Sequence, residues 1–491
     1  MQKIRLRREP DLGVRFTAFP FQSEAIDSIK DLPYAAVFHE QGLGKTKIAI
    51  DVFLYWLSRK DVDSVLIVTK RILVQNWIRE IARHTHVSPT ILTQDRRANF
   101  FALNSPSRVY VTHYEVLRTE QKRLSLFQRA RNVAVILDES QKIKNPDAAL
   151  TESILQLGPG FKRRLILTGT PIANRPHDLW SQVFFLDQGE SLGKDFQSFR
   201  SQLQLSGDLS TNPRRRDAFE KQLAGLYDRI RCFSVRETKK GAQIGLPDKV
   251  LRKIYAEWES RQAEHYVSVR DDLRTVVVRE GIPEEDDARD LLKRLLRLVQ
   301  IASNPKLIDE SYDQLPGKVP ILESLVAKVT AQDEKAIVWT SFRHNVDWLA
   351  RRLRAYGVAR VHGGIAMAAR ERALQRFLDS ESCRLLIATP GAAKEGLTLT
   401  VANHVIFYDR TFSLDDFLQA QDRIHRISQV KTCYVYSILM KDSIDEWVDL
   451  LLRSKHLAAQ LGQGDITMKQ YRLEMTYDFG DVLRGLLGLE E

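Results

Sequence analysis

Residues 34–57 read Y-A-A-V-F-H-E-Q-G-L-G-K-T-K-I-A-I-D-V-F-L-Y-W-L, and this stretch decides the fold. Its first five residues form an apolar run of strand length, and residues 47–57 have helical character. Between them Gly42 and Gly44 stand where a chain turning back on itself aims several backbone N–H groups at one point. Triphosphate oxygens need such converging donors, and the N-terminus of the following helix adds the positive end of its dipole. In this loop Lys45 is expected to reach the β and γ phosphates. The Thr46 hydroxyl is expected to sit on a magnesium ion, which takes oxygen ligands in octahedral geometry. His39 stands where the phosphate-loop pattern usually begins with glycine, so the strand, loop and helix context carries the reading. ATP and Mg2+ are the expected ligands.

A nucleotide hydrolase also needs one carboxylate for the metal and another for the water. Residues 133–137 (V-A-V-I-L) form a second buried-strand run and end at Asp138-Glu139-Ser140-Gln141. Asp138 is expected in the magnesium shell and Glu139 beside the attacking water. Further strand-like runs at 65–69, 109–112 and 164–167 alternate with helical stretches, which implies a parallel sheet covered on both faces. The loops after such strands are where open α/β sheets bind ligands. A second series at 336–340, 360–362, 385–388, 405–408 and 434–438 implies a second lobe of the same kind. Between the two series, strand signals thin out and long charged helical patterns dominate.

These segments, taken in order, resemble the Swi/Snf-type branch of the superfamily-two helicase-like ATPases, over residues 16–455. P-F-Q (20–22) is similar to the family's adenine-reading glutamine motif. Residues 65–80 (V-L-I-V-T-K-R-I-L-V-Q-N-W-I-R-E) are similar to motif Ia, and D-E-S-Q-K-I-K-N (138–145) to motif II. Residues 167–180 (L-T-G-T-P-I-A-N-R-P-H-D-L-W) match motif III nearly throughout. L-R-L-V-Q-I-A-S-N-P-K-L-I (296–308), H-G-G-I-A-M-A-A-R (362–370), A-A-K-E-G-L-T-L-T (392–400) and Q-A-Q-D-R-I-H-R-I-S-Q (419–429) resemble the family's later motifs. Ala393-Lys394 replaces a glycine pair, Thr398 an asparagine, 412–414 a Trp-Asn-Pro, and Ser428 a glycine, wording similar to annealing-helicase and compact bacterial or viral members.

The resemblance implies an α/β fold of two RecA-like lobes, each a parallel sheet covered by helices, with helical protrusions between them. The implied domains are an ATP-binding lobe at 1–186, protrusions and hinge at 187–310, a helicase lobe at 311–455, and a brace or partner-binding tail at 456–491. Gln22, Gly396 and Gln419 join the cradle as nucleotide contacts. Arg423 and Arg426, three apart on an expected helix and so on one face, act as arginine fingers. Thr168, Gly169 and Thr170 couple nucleotide state to grip. Lys70, Arg71, Lys142, Lys144, Asn174 and Lys394 are the expected backbone contacts, and double-stranded DNA is the expected track. The implied activity is DNA-dependent ATP hydrolysis driving translocation along duplex. The alternatives are a strand-separating or annealing helicase, or an ATP-gated clamp serving a nuclease, methyltransferase or other DNA-processing subunit.

Composition agrees. At 491 residues the chain exceeds one core, since domains average about 150 residues. Its formal net charge of +11 favours a polyanionic partner. Cys232, Cys383 and Cys433 are too scattered for a disulfide framework or zinc cluster, and the latter two read as small core residues. The basic start lacks an apolar segment behind it, and no run of about eighteen apolar residues follows. No membrane partner is expected; the expected location is cytoplasmic, nucleoid-associated for a bacterial chain or the host cell interior for a viral one. Arg214-Arg215-Arg216 is read as solvated surface, with DNA contact as the alternative.

Overall fold

The structure is a computed structural model and describes residues 9–205, 209–242, 244–280, 288–392 and 399–477, with Val482 and Gly485. The chain divides into two units. The first holds the described residues up to Leu205, Pro213–Ile244 and Ala458–Leu473; the second is built chiefly from Gly245–Leu457.

The first unit is organised by β1 (Tyr34–Val37), β2 (Ser64–Thr69), β3 (Thr90–Ile91), β4 (Val109–His113), β5 (Val133–Asp138), β6 (Arg163–Leu167) and β7 (Ser234–Val235). They pair in the order β3-β4-β2-β5-β6-β1-β7, and every pairing is parallel. Helices cover both faces, so the central strands are apolar throughout: all six residues of β2 are buried, and five of six in β5. Register is what assembles a site. Asp138 lies across from Leu167 on one side, and Val68 lies across from Leu137 on the other. Leu167 in turn faces Val37. The carboxyl ends of β1, β2, β5 and β6 therefore finish side by side, and the loops beginning at Phe38, Lys70, Glu139 and Thr168 leave the same edge.

The second unit contains β8 (Lys249–Ala256), β9 (Ala336–Trp339), β10 (Val358–Val361), β11 (Leu385–Ala388), β12 (His404–Phe407) and β13 (Cys433–Met440). Their order is β10-β11-β9-β12-β13-β8, again parallel throughout. Cys383 and Cys433 sit in this unit's apolar core, while Cys232 is exposed.

β8 is a departure from the expected run of helices between the lobes. Its sequence K-V-L-R-K-I-Y-A is charged, and most of its side chains are partly or fully exposed. It is an edge strand with one free side, pairing residue for residue with β13 from Lys249↔Cys433 to Ala256↔Met440. The charged helices expected in this region do form, at Ser260–Glu280 and Ala288–Ser303.

Ala458–Leu473 packs within the first unit. Arg236 makes a two-pronged ion pair with Asp465, at 2.9 and 2.6 Å, and Arg472 reaches Glu220 at 2.6 Å and Asp217 at 2.9 Å. A Cβ on Gly462 would lie 2.7 Å from the Ile172 Cδ1 methyl, so a larger residue there would require the Ile172 side chain to shift. The apolar tail at 481–489 lies outside the described residues, apart from Val482 and Gly485.

Candidate nucleotide and nucleic-acid site

The expected cradle is present after β1. Gly42 and Gly44 have φ of 86° and 73°, the left-handed region that L side chains avoid, and Gly44 caps the helix Lys45–Ser58. Gly44 is required a second time. Gln22, buried at the start of the helix Pro20–Ile29, donates to Leu43 O at 3.1 Å, and a Cβ on Gly44 would fall 2.3 Å from its Nε2. Lys45 Nζ donates to His39 O at 2.9 Å and Glu40 O at 3.2 Å, so its ammonium lies over the loop, and Thr46 follows in the helix's first turn. Gly169, in the loop after β6, presses on the same loop: its Cβ would meet Gln41 Cγ at 2.6 Å and Lys45 Nζ at 3.1 Å. His39 is buried, and burial, reinforced by the charges of Lys45 and Arg236, drives its ring down to about 3. At the position where glycine was expected there is thus a neutral imidazole beneath the loop.

The two carboxylates differ in environment. Asp138 Oδ2 accepts from the Trp77 indole at 2.8 Å and from the Thr69 hydroxyl at 3.0 Å, while Oδ1 accepts the Glu139 N–H at 3.0 Å. Burial, then the neighbouring Glu139 charge, raises its carboxyl to about 6 against the pull of those donors and Lys45. Among the described residues no cluster of three or more His, Cys, Asp or Glu forms a metal cage. The Asp138 carboxylate and the Thr46 hydroxyl are oxygen donors of the kind that suit magnesium, which binds through one or two protein oxygens and completes its shell with phosphate and water. Asp138 and Thr46 are the residues that would hold it.

Glu139 sits at φ 55°, ψ 50°, a left-handed conformation that costs a non-glycine residue of order 1 kcal/mol. Its Oε2 accepts from Gln141 Nε2 at 2.5 Å and from Lys70 Nζ at 3.4 Å. Gln141 Oε1 accepts the Thr168 hydroxyl at 2.8 Å, and Thr168 Oγ1 accepts the Thr170 N–H at 3.1 Å. Gly169 is therefore brought against the cradle, and Thr168 is linked to the second carboxylate through Gln141. Gln141, Trp77 and Thr69 had no role assigned from sequence. The signal for Gln141 was its place two residues after Glu139; for Thr69 it was the adjacency of β2 and β5, and for Trp77 its place on the helix Val74–His84 that follows β2.

Of the cations assigned to nucleic acid, Lys70 and Arg71 follow β2 and Lys142 and Lys144 follow β5 at this edge. Lys142 pairs with Glu115 at 3.4 Å, and Lys144 with Asp178 at 3.6 Å. The Asn174 N–H donates to the same Asp178 at 2.9 Å. Arg71 is exposed in the single turn Arg71–Leu73. Arg214 and Arg215 are exposed on the helix Pro213–Ala224.

In the second unit, Gln419 is buried on the helix Leu414–Gln421 and donates to Asp415 at 2.7 Å. That helix ends at Gln421, so Arg423 and Arg426 do not share a helix face as expected. The carbonyls that would continue it are taken elsewhere: Arg423 O accepts from Leu399 N at 3.1 Å and Ile424 O from Gln429 Nε2 at 2.9 Å. Ile424 is drawn into the core by this bend. Arg423 is 4% exposed, and Arg426 donates to Asp422 O at 3.2 Å. Lys394 and Gly396 lie outside the described residues. Sequence reasoning also missed a cleft of about 450 Å³ over the carboxyl ends of β9, β10, β11 and β12, lined by Ser341, Arg343, Gly363, Arg370 and Thr389 among others. Two arginines and hydroxyls at such an edge suit an anion.

The model of the SNF2-related domain matches residues 35–307, and that of the helicase conserved C-terminal domain matches 317–428. A Bacillus subtilis (strain 168) protein provisionally named an ATP-dependent helicase/translocase, YwqA, is 29% identical over 86% of this chain and 45% of its own length. The ATP-dependent DNA helicase DDM1 of Arabidopsis thaliana is 26% identical over 90% of this chain and 61% of its own. The chain thus spans about half the length of the curated relatives it matches. A solved Sulfolobus solfataricus SWI2/SNF2 ATPase core in complex with dsDNA is 23% identical, covering 99% of this chain and 100% of that one, with a TM-score of 0.43. One family model runs through the cradle, both carboxylates and the Thr168–Gln141 link and takes in more than half of the sequence: the chain belongs to the SNF2-related family of helicase-like, ATP-dependent enzymes.

Proposed function

We infer that the chain is a duplex-DNA-dependent ATPase that converts hydrolysis into movement along double-stranded DNA. The observation carrying this reading is the hydrogen-bonded path from Thr168 through Gln141 to Glu139, with Lys70 on the same carboxylate oxygen. It ties the hydrolytic base to the loop after β6 and to the basic edge assigned to nucleic acid. The net charge of +11 and the relatives' names support the same reading.

In this reading Gly42, Gly44 and Lys45 bind the phosphates and Gln22 the adenine. Thr46 and Asp138 would hold magnesium, whose charge would offset that of the phosphates. Glu139 orients the water and takes its proton as the water oxygen bonds to the γ phosphorus and the P–O bond to ADP breaks; the proton then leaves with the phosphate. Arg423 and Arg426, by family resemblance, are the cations for the charge that develops, with Gln419 and Gly396 as further nucleotide contacts. Lys70, Arg71, Lys142, Lys144, Asn174 and Lys394 contact the DNA backbone, joined by Arg343 and Arg370 from the cleft.

The test is ATP turnover without DNA, with single strands and with duplex, across a salt series. Duplex should stimulate most, and stimulation should weaken steeply with salt because backbone contacts release counterions. Turnover indifferent to both DNA and salt would remove the reading. The names of the relatives keep a strand-separating helicase as the second reading.

A further inference from the structure

Three lysines assigned to the DNA backbone are each paired with a carboxylate of their own unit. Lys70 meets Glu139 at 3.4 Å, Lys142 meets Glu115 at 3.4 Å, and Lys144 meets Asp178 at 3.6 Å. A tight charge-assisted bond measures about 2.7–2.9 Å, so all three are loose. Their lysine side chains are also partly exposed, and ion pairs of that kind are weak and exchangeable. Of the three carboxylates, Glu139 alone is the assigned hydrolytic base.

An ammonium seated on a carboxylate oxygen occupies a lone pair that an attacking water would otherwise use, and holds the carboxylate in one direction. At Glu139 the ammonium and the Gln141 amide converge on one oxygen, Oε2. Lysine is suited to giving up such a position, being a point charge on a flexible four-carbon stem. A DNA phosphate is a competing anion whose pairing with lysine is further driven by counterion release.

We propose that Lys70 is a positioning residue that restrains Glu139 in the DNA-free protein, and that a backbone phosphate of duplex DNA lifts the restraint by taking the Lys70 ammonium as its own partner. The proposal rests on the duplex-dependent reading above. It makes one side chain both a DNA contact and the brake on idle hydrolysis. Linkage requires reciprocity: if the phosphate weakens the Lys70–Glu139 pair, Glu139 weakens the Lys70–phosphate pair by the same factor.

The first arm of the test contains no DNA, so it stands apart from the duplex reading. Lys70→Met should raise DNA-free ATP turnover about fivefold or more. Lys70→Arg, which keeps the charge, should bring the DNA-free rate back toward wild type. An unchanged or lower DNA-free rate in Lys70→Met overturns the proposal and leaves an ordinary backbone contact. The second arm measures affinity for a duplex without nucleotide. Glu139→Gln should tighten binding several-fold in the wild-type background and not in Lys70→Met, a non-additive cycle. An equal gain in both backgrounds marks a general charge effect and also overturns it. Wild-type turnover indifferent to duplex removes the proposed function, and the DNA-free arm then decides whether Lys70 restrains Glu139.

Discussion

Thr168 donates its hydroxyl to Gln141 Oε1 at 2.8 Å, and through that bond the loop after β6 holds the side chain whose amide reaches Glu139. Both residues are buried, so neither end of the link is replaced by water at low cost. Gln141→Ala and Thr168→Val should each lower duplex-stimulated turnover about tenfold or more, with ATP affinity within about threefold. Since they cut the same path, the double variant should be no worse than the more damaging single one. Losses that multiply would show that the two side chains act separately.

Glu139 and Lys45 are separable by what each removes. Glu139→Gln nearly preserves shape while deleting the base, so ATP and duplex binding should persist while turnover falls by about 10² or more. Lys45→Ala deletes an ammonium that lies over the phosphate loop, bonded to His39 O and Glu40 O, and should weaken nucleotide binding itself. Fluorescent-nucleotide titration of both variants decides the matter, and equal losses of affinity would show that Glu139 has been given the wrong task.

The buried imidazoles make the first unit acid-sensitive. Burial lowers the His39 ring to about 3 and the His177 ring to about 4, against an ordinary value of 6.5. Below pH 6.5 the unfolded chain takes protons that the folded chain refuses, so this stability is complete above 6.5 and drains away as pH falls toward 4 and 3. His39→Gln should therefore lose less of its melting temperature between pH 7 and pH 4.5 than wild type does. Carboxylates contribute to both curves alike, so the difference isolates the ring, and parallel curves would show that His39 is protonated in the fold.

The central strands of both sheets were legible because buried parallel strands are continuous apolar runs bounded by turns, as in S-V-L-I-V-T of β2 and V-A-V-I-L-D of β5, whereas the two-residue strands β3 and β7 are too short to carry such a pattern. β8 was missed for the converse reason: an edge strand with an open face keeps Lys249, Arg252 and Lys253 and reads as a charged helix. The cradle was legible because its glycines and lysine are adjacent in sequence. Thr69 and Lys70 meet the carboxylates through the register of β2 against β5, and Trp77 through the helix Val74–His84 that follows, which no local pattern encodes. The end of the helix Leu414–Gln421 was illegible too. Q-D-R-I-H-R holds no glycine or proline, and its carbonyls are taken by Leu399 from well upstream in the chain and by the Gln429 side chain just beyond the turn.

Arg426 tests the role carried over by resemblance. Its Nε donates to Asp422 O at 3.2 Å. Arg426→Ala should keep ATP affinity within a few fold while abolishing duplex-stimulated hydrolysis, as expected of a cation that acts only on the charge developing in the transition state. Single-turnover kinetics with pre-bound ATP would read the chemical step directly, and normal stimulated turnover would return this arginine to a purely structural place in the turn.

Movement and strand separation are distinguished by the substrate each needs. A duplex translocase grips phosphate backbone through cations such as Arg71 and Lys142 and leaves base pairs closed, so with ATP it should strip a third strand from a triplex. The same preparation should fail to separate an ordinary duplex of about 20 base pairs, where stacking averages about 1.4 kcal/mol per step and no energy is directed at opening it. Glu139→Gln, which binds without turnover, controls for displacement by binding alone. Efficient opening of the plain duplex would establish the helicase reading instead. Duplex-stimulated hydrolysis with neither displacement nor opening would mean that the Thr168–Gln141–Glu139 path gates a grip on DNA without moving along it.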